Sequence, residues 1–264
     1  MLFRSDYAAD ARGYSTGLAG EWYLDNWVMR ASRMITPKTP NGRDLNWQIF
    51  NAYGDQFEVE RQHQIGDLPG KVSVLAYRNK MILARFADAT NYVIANNAQG
   101  TQALSNVRNN YQYKTGIGIN GEQALTKDLG VYGRAFTSDG HTETMSFTEA
   151  DNSLSVGMSL NGMRWNRAYD TIGISMMQNG LSSFRRNYLQ AGGVSYFIGD
   201  TSNPYNGPNQ TINYRPERVG EIYYNALLVK NVLLGVNFQH INNPAYNAAR
   251  GPVNIASFRI HAEF

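Results

Sequence analysis

The chain has 264 residues, a formal net charge of +3, 17% charged residues, 25 glycines, 17 tyrosines and no cysteine. The absence of cysteine excludes a disulfide framework, a thiolate nucleophile and a thiolate zinc site, and a small charge without any basic run argues against nucleic acid as a partner. The longest apolar runs, such as Asn225-Ala226-Leu227-Leu228-Val229, fall far short of the roughly 20 residues of a spanning helix; a tilted β-span needs only about 9–11 of alternating polarity and stays open.

Alternating segments of about ten residues recur between Gly, Asn, Asp and Pro, the signature of strands joined by turns. In chain order they predict strands over 13–24, 27–35, 56–64, 71–80, 111–124, 130–137, 153–163, 171–177, 221–229, 232–241 and 254–264, about eleven in all. Asp25-Asn26, Thr126-Lys127-Asp128 and Lys230-Asn231 are short turns, so hairpins dominate and the sheet is expected to be antiparallel. Two stretches depart from this. Residues 82–106, with Ala84, Ala87, Ala89, Ala95 and Ala103, read as a long loop with helical turns, and 182–215 opens on a possible helix over 184–191 before turning rich in Gly, Asn and Pro. Short turns at one end and long loops at the other are the asymmetry of an outer-membrane barrel, whereas a soluble sandwich spreads its loop lengths more evenly.

The last segment, Ser257-Phe258-Arg259-Ile260-His261-Ala262-Glu263-Phe264, alternates without a break. Phe258, Ile260, Ala262 and Phe264 share a face suited to lipid; Arg259, His261 and Glu263 share one suited to water. A sandwich edge strand alternates too, but the rest of the chain favours the barrel. Aromatic residues, among them Trp22, Trp27, Tyr53, Tyr111, Tyr113 and Tyr132, lie mostly toward strand ends, where amphipathic rings favour headgroup level. The start, Met1-Leu2-Phe3-Arg4-Ser5-Asp6-Tyr7, lacks the parts of a secretory signal that an outer-membrane protein needs, so the chain is expected to be mature or truncated there.

Taking Leu154, Val156, Met158 and Leu160 as the lipid side sends Ser153, Ser155, Ser159 and Asn161 to the lumen. The same phase places Glu58, Glu60, Lys114, Asn120, Glu122, Arg134, Glu221, Tyr223, Asn225, Asn237, Gln239, Arg259 and Glu263 inside. A lumen with both charge signs, amides and tyrosines offers donors and acceptors to neutral polyols without a strong ionic field.

From about Asp6 to Phe264 the chain resembles the carbohydrate-selective porins of Gram-negative outer membranes. The resembling stretches are Tyr7-Ala8-Ala9-Asp10-Ala11-Arg12-Gly13-Tyr14, the segment Glu122-Gln123-Ala124-Leu125-Thr126 running into Leu129-Gly130-Val131-Tyr132-Gly133-Arg134, and Phe147-Thr148-Glu149-Ala150-Asp151. Asn187-Tyr188-Leu189-Gln190-Ala191-Gly192-Gly193, Glu221-Ile222-Tyr223-Tyr224 and Gln239-His240-Ile241-Asn242-Asn243-Pro244-Ala245-Tyr246-Asn247 follow in order. The resemblance implies an all-β, antiparallel transmembrane barrel of about 16 strands that admits sugars. Such porins carry a signal peptide and further strands before the region matching Tyr7, so the chain reads as one β-barrel domain over 1–264, the C-terminal two-thirds of such a protein. The resemblance also makes Phe264 an assembly signal for the barrel-insertion machinery, with outer-membrane lipid around the wall; a monomer and a homotrimer both remain open.

Chemistry beyond permeation finds little support. His63, His141, His240 and His261 lack metal-ligand spacing, and Gly116, Gly118 and Gly121 sit inside an alternating strand rather than a phosphate loop, where they read as small lumenal residues that keep the bore open. Asp170, Asn179 and Asp200 could hold calcium at loops but more often such residues cap turns. No Gly-x-Ser-x-Gly elbow supports a lipid hydrolase. The expectation is therefore a passive sugar channel without catalysis, metal or cofactor, whose path runs past Arg134, Glu122, Lys114, Glu221, Arg259, Glu263, Gln239 and Tyr223. The other readings are a plugged structural or adhesion barrel and, more distantly, an outer-membrane hydrolase.

Overall fold

Alternation makes each segment a strand, and the turn residues decide which strands pair. A computed structural model describes residue 6 and residues 8–98, 103–146, 149–195, 198 and 213–263. It contains β1 (Gly17–Leu24), β2 (Trp27–Ile35), β3 (Tyr53–Ile65), β4 (Leu68–Ile82), β5 (Tyr111–Ala124), β6 (Leu129–Ser138), β7 (Asn152–Gly162), β8 (Arg167–Gly180), β9 (Glu217–Val229), β10 (Val232–Asn242) and β11 (Val253–Ala262). They form one sheet in sequence order, every neighbouring pair antiparallel, with β1 and β11 at its edges.

All the short turns lie at one end. Asp25, Gly66, Asn166 and Asn231 reverse the chain there with positive φ values of 48°, 61°, 60° and 65°, which Gly and Asx residues reach at little cost. The long connections 36–52, 83–110, 139–151, 181–216 and 243–252 all lie at the other end. Strand 13–24 was expected to be longer than β1. The carboxylate of Asp10 accepts the N–H groups of Arg12 and Tyr14 at 2.9 Å each, and this turn, with Gly13 at φ 87°, holds the chain out of the ladder until Gly17. At the other strands the expected limits hold to within a few residues. β9 begins four residues earlier than expected, directly after Pro216, which cannot donate to a ladder.

Register fixes the faces. Leu154, Val156 and Met158 are about half exposed on the outward face, and the row Phe57, Ala76 and Ile117 continues it across β3, β4 and β5. On the inward face three tyrosine rings lie over glycines of the neighbouring strand: Tyr77 over Gly116, Tyr132 over Gly157 and Tyr223 over Gly173. A Cβ at any of these glycines would meet ring atoms at 2.3, 2.7 and 2.4 Å. Gly116 therefore seats a ring rather than widening the bore, and Gly121 lies on the outward phase.

The apolar core is not in the wall but in its long connections. Helices α1 (Phe86–Ala95), α2 (Leu104–Val107) and α3 (Ser183–Gln190) pack with Ala84, Ala103, Leu181, Ile198 and Tyr246. α1 buries Phe86, Ala89 and Val93, spaced by three and four residues, so one helical face meets α3, where Phe86 and Tyr188 lie 5.8 Å apart. Ser182 caps α3 by accepting the Arg185 N–H at 3.1 Å. This cap leans on the inward face of the wall at the long-loop end: Met81 and Leu83 pack with Ala8 and Met145, and the Asn79 amide donates to the Asp6 carbonyl at 2.8 Å.

Candidate permeation path

At the short-turn end the inward face borders an open cavity of about 900 Å³ lined by residues that include Gln62, Lys71, Glu122, Tyr132, Ser159 and Tyr223. Strand pairing explains the set. Glu122 of β5 stands opposite Lys71 of β4 and Tyr132 of β6, and Asn120 stands opposite Arg134. The Glu122 carboxylate lies 3.7 Å from the Lys71 ammonium and 3.9 Å from the Arg134 guanidinium. Arg134 donates from Nε to the side-chain Oδ1 of Asn120 at 2.9 Å and covers the Tyr132 ring at 4.6 Å. Glu58 and Glu60 share Arg30 at 2.6 and 3.0 Å, and Glu221 accepts from Asn237 and Gln239 at 2.7 and 2.8 Å. Each of these inward carboxylates thus has a donor beside it, three cations standing among four carboxylates, so the lining is rich in hydrogen-bonding groups and carries only a small negative excess.

At the long-loop end the cap holds a buried ionic cluster. Arg185 of α3 donates from Nε and Nη2 to the two oxygens of Asp151 at 2.9 Å each, from Nη2 to Thr144 at 2.8 Å and from Nη1 to Glu149, and its guanidinium covers the Phe86 ring at 4.8 Å. Arg185 is 1% exposed. Burial disfavours its charge, but Asp151 and Glu149 more than offset this and raise its pKa. For Asp151 burial pushes the other way from its partners; Arg185 and Lys114 prevail and hold the carboxyl below its ordinary range. Asp6 shows the opposite balance. Burial dominates the nearby Lys114 charge and the N–H groups of Met145 and Ser146, which donate to it at 2.9 Å each, and lifts its pKa to about 6. A second cation, Arg108, grips Glu143 with two bonds of 2.6 and 2.7 Å, and Glu143 also accepts the Ala84 N–H at 2.7 Å. Between the two clusters lies a cavity of about 210 Å³ lined by Asn41, Arg108, Glu143, Thr144, Glu149 and Arg185 among others.

The residues singled out from sequence thus separate into groups. Glu122, Arg134 and Tyr223 meet at the larger cavity or its edge, and Glu221 and Gln239 bond to each other on β9 and β10. Lys114 points inward but is 2% exposed: its ammonium donates to the Thr142 carbonyl at 3.1 Å and lies 3.9 Å from Asp151, beneath the cap. Arg259 sits on the edge strand β11 opposite Gly235, and Glu263, just past that strand, pairs with His261 at 3.0 Å rather than with Arg259. Phe264 and Asp200 lie outside the described residues. His63 contacts Gln123, His240 contacts Asn254 and His141 lies against Phe184; Asp170 is held by Arg167 and Tyr224, and Asn179 by Ser153 and Glu217. Among the described residues no group of three or more His, Asp or Glu could hold a metal ion. Sequence reading missed Arg185, Arg108, Glu143, Glu149 and Asp151. The available signal was the Arg185-Arg186 pair in the first turns of a helix together with the acidic residues between 143 and 151.

Comparison with known proteins bears on this geometry. A family profile described as carbohydrate-selective porin, OprB family, matches residues 14–264. Among solved structures, Pseudomonas putida OprB at high pH superimposes with a TM-score of 0.71 at 18% identity, over 94% of this chain and 58% of that one, so the chain spans well under two-thirds of that protein's length. The P. putida toluene transporter TodX (TM-score 0.41, 9% identity, 95% of this chain and 73% of that one) and P. aeruginosa FpvA (TM-score 0.42, 12% identity, 96% and 33%) superimpose too loosely to carry an argument. No curated protein matches the sequence. With an antiparallel wall whose outward rows are apolar and whose inward rows are polar, a match across 14–264 and the OprB fold, the chain belongs to the carbohydrate-selective porin family, and its sheet is barrel wall of the Gram-negative outer membrane.

Proposed function

We propose that the protein lets neutral sugars diffuse passively across the outer membrane along the inward face, past the cap at one end and through the Glu122–Arg134–Tyr132 region at the other. The observation that carries this reading is the donor that stands beside each carboxylate of the lining. Arg30 serves Glu58 and Glu60, Lys71 and Arg134 flank Glu122, and two amides serve Glu221. With three cations beside four carboxylates the bore keeps only a small negative excess and a weak field, while its carboxylates, amides and phenols can take the place of water on the hydroxyl groups of a polyol as it sheds its hydration shell. Tyr223 adds flat apolar surface for the C–H face of a sugar ring. No step of this process breaks a covalent bond, so the protein acts as a channel and not as an enzyme.

The test is liposome swelling with the porin reconstituted from outer membranes, paired with single-channel recording. Neutral monosaccharides should enter readily, disaccharides more slowly, and ion flow should show only weak preference between cations and anions. Swelling no faster than in protein-free liposomes, with no steady conductance, would overturn the reading and mean that the cap closes the bore.

A further inference from the structure

On the outward face, the rows that follow the apolar band toward the long loops are not apolar. Register places Asp55 between Arg33 and Arg78, one row beyond Phe57, Ala31 and Ala76, and in the next row places Tyr53 opposite Lys80 and Lys80 opposite Tyr113. Strand geometry sets the height: Ile117 is the last aliphatic residue on the outward phase of β5, and Tyr113, four residues on, stands roughly 13 Å of strand and roughly 10 Å of elevation beyond it, past the edge of the apolar band where headgroups begin.

The cations here are arranged over rings. The Arg33 guanidinium lies 4.2 Å from the Tyr53 ring centre and that of Arg78 lies 5.6 Å from it. The Lys80 ammonium stands 5.5 to 6.0 Å from the rings of Tyr111, Tyr113 and Tyr53. Arg33 and Arg78 share one carboxylate, Asp55, at 2.7 and 3.1 Å, and among the described residues Lys80 has no carboxylate within ion-pair reach. Three cations against one carboxylate leave two positive charges on a face that elsewhere meets hydrocarbon. The half-exposed Arg78 guanidinium, which spends only Nη2 on Asp55, beside an ammonium held over aromatic rings, supplies the donors that phosphate oxygens match. Nothing in the sugar path uses these residues, because they lie on the opposite side of the wall.

We propose that Arg33, Arg78 and Lys80, with Tyr53, Tyr111 and Tyr113, form a binding site for the phosphate groups of outer-leaflet lipid headgroups. The patch would hold an annular lipid against β2–β5, the strands whose inward face supports the cap, and juxtamembrane cations attract anionic headgroups strongly enough to make that lipid persistent.

The experiment is native mass spectrometry of the porin in detergent, titrated with a diphosphorylated glucosamine lipid, with the same lipid after enzymatic dephosphorylation, and with inorganic phosphate. The paired substitution Arg78→Gln with Lys80→Gln is compared with Arg61→Gln, an outward arginine over Trp27 at the short-turn end. Heat-modifiable migration confirms that each variant is folded. The proposal expects the unaltered porin to retain the phosphorylated lipid, the paired variant to retain it about tenfold more weakly or worse, and Arg61→Gln to behave as the unaltered protein. It also expects dephosphorylated lipid to be lost and millimolar phosphate not to displace the lipid. Equal retention by the unaltered and paired-variant porins, or equal retention of both lipids, would overturn the site. Displacement of the lipid by phosphate, with the same dependence on Arg78 and Lys80, would overturn the lipid assignment and make the patch a site for the free anion.

Discussion

The wall and the cap solve the problem of burial in opposite ways. The wall pairs β2 to β10 with a strand on either side and β1 and β11 with one, leaves its outward apolar rows to lipid and keeps its inward polar rows wet, so Leu154, Val156 and Ile117 stay about half exposed. The cap is a small water-soluble core built from loops. It buries Phe86, Val93, Tyr188 and Leu189 completely or nearly so, and beneath them a charged cluster around Arg185. Stability in the wall is therefore spread over ladder bonds and lipid contact, whereas in the cap it is concentrated in a few side chains. A single substitution should be able to open the cap and leave the wall intact.

The largest expected effect follows from that concentration. Replacing Arg185 by Met would keep the stem over Phe86 but remove the guanidinium that binds Asp151 and Glu149, leaving only the more distant Lys114 ammonium facing Asp151, a loss on the order of 3–5 kcal/mol for breaking one side of a buried pair. Heat-modifiable migration of the barrel should be unchanged, while protease should cut between 139 and 151 and single-channel conductance should rise and become noisy. Loss of the folded barrel would mean that the cap and wall form one cooperative unit.

The next effect probes the wall in its own terms. Val156→Lys places an ammonium at mid-strand on the lipid face, which costs roughly 2–4 kcal/mol near the bilayer midplane, whereas Ser159→Lys on the same strand points into the wet cavity and should cost under about 1 kcal/mol. Urea unfolding in lipid vesicles measures both. Equal costs would show that the two faces are not divided between lipid and water as the register implies.

Which of these features could be read from sequence follows from how local their causes are. The phase of 153–161 was legible because alternation is a property of neighbours, and it extends by pairing to Glu122, Arg134 and Glu221. Turns were legible where Asp25-Asn26 or Lys230-Asn231 name themselves. The role of Gly116 was not, because it depends on which residue of β4 lies opposite, and that residue is Tyr77. The cap was legible only as helical turns over 82–106 and 184–191. Its ionic cluster joins Lys114 of β5 with Asp151 and Arg185 from two separate connections, and no local pattern records such a meeting. Lys114 is the instructive case: its phase places it inward, but only the fold shows that the cap covers it.

A smaller effect separates the two carboxylates of the cap by pH. Asp6 has a folded pKa of about 6 against an ordinary 3.8, so its contribution to stability is complete below 3.8 and is lost as pH rises through about 6. Asp151, held low by its cations, contributes above the ordinary carboxylate range and loses that contribution as pH falls below it. Protection of the Met145 and Ser146 amides, corrected for intrinsic exchange, should therefore decline between 3.8 and about 6 and level off above. Asp6→Asn should flatten that slope. An unchanged slope in Asp6→Asn would assign it to another group.

The smallest energetic effect, and the one closest to permeation, lies in the lining. Arg134 and Glu122 are each about one-third exposed and 3.9 Å apart, so their attraction is screened by the water between them, and removing both should change wall stability by no more than about 1 kcal/mol. Their consequence for a passing sugar is different. Arg134→Ala with Glu122→Ala deletes a donor fork and an acceptor pair from the same level of the bore and uncovers the Tyr132 ring, which Arg134 covers at 4.6 Å. A disaccharide must exchange hydrogen bonds over a greater length than a monosaccharide, so it should feel the loss more. The ratio of monosaccharide to disaccharide swelling rates should shift by about twofold, equivalent to about 0.4 kcal/mol in relative barrier. Because both rates come from the same vesicles, protein content cancels in the ratio. A ratio that does not move would place discrimination in the cap, between Arg108, Glu143 and Arg185, where the narrower cavity lies.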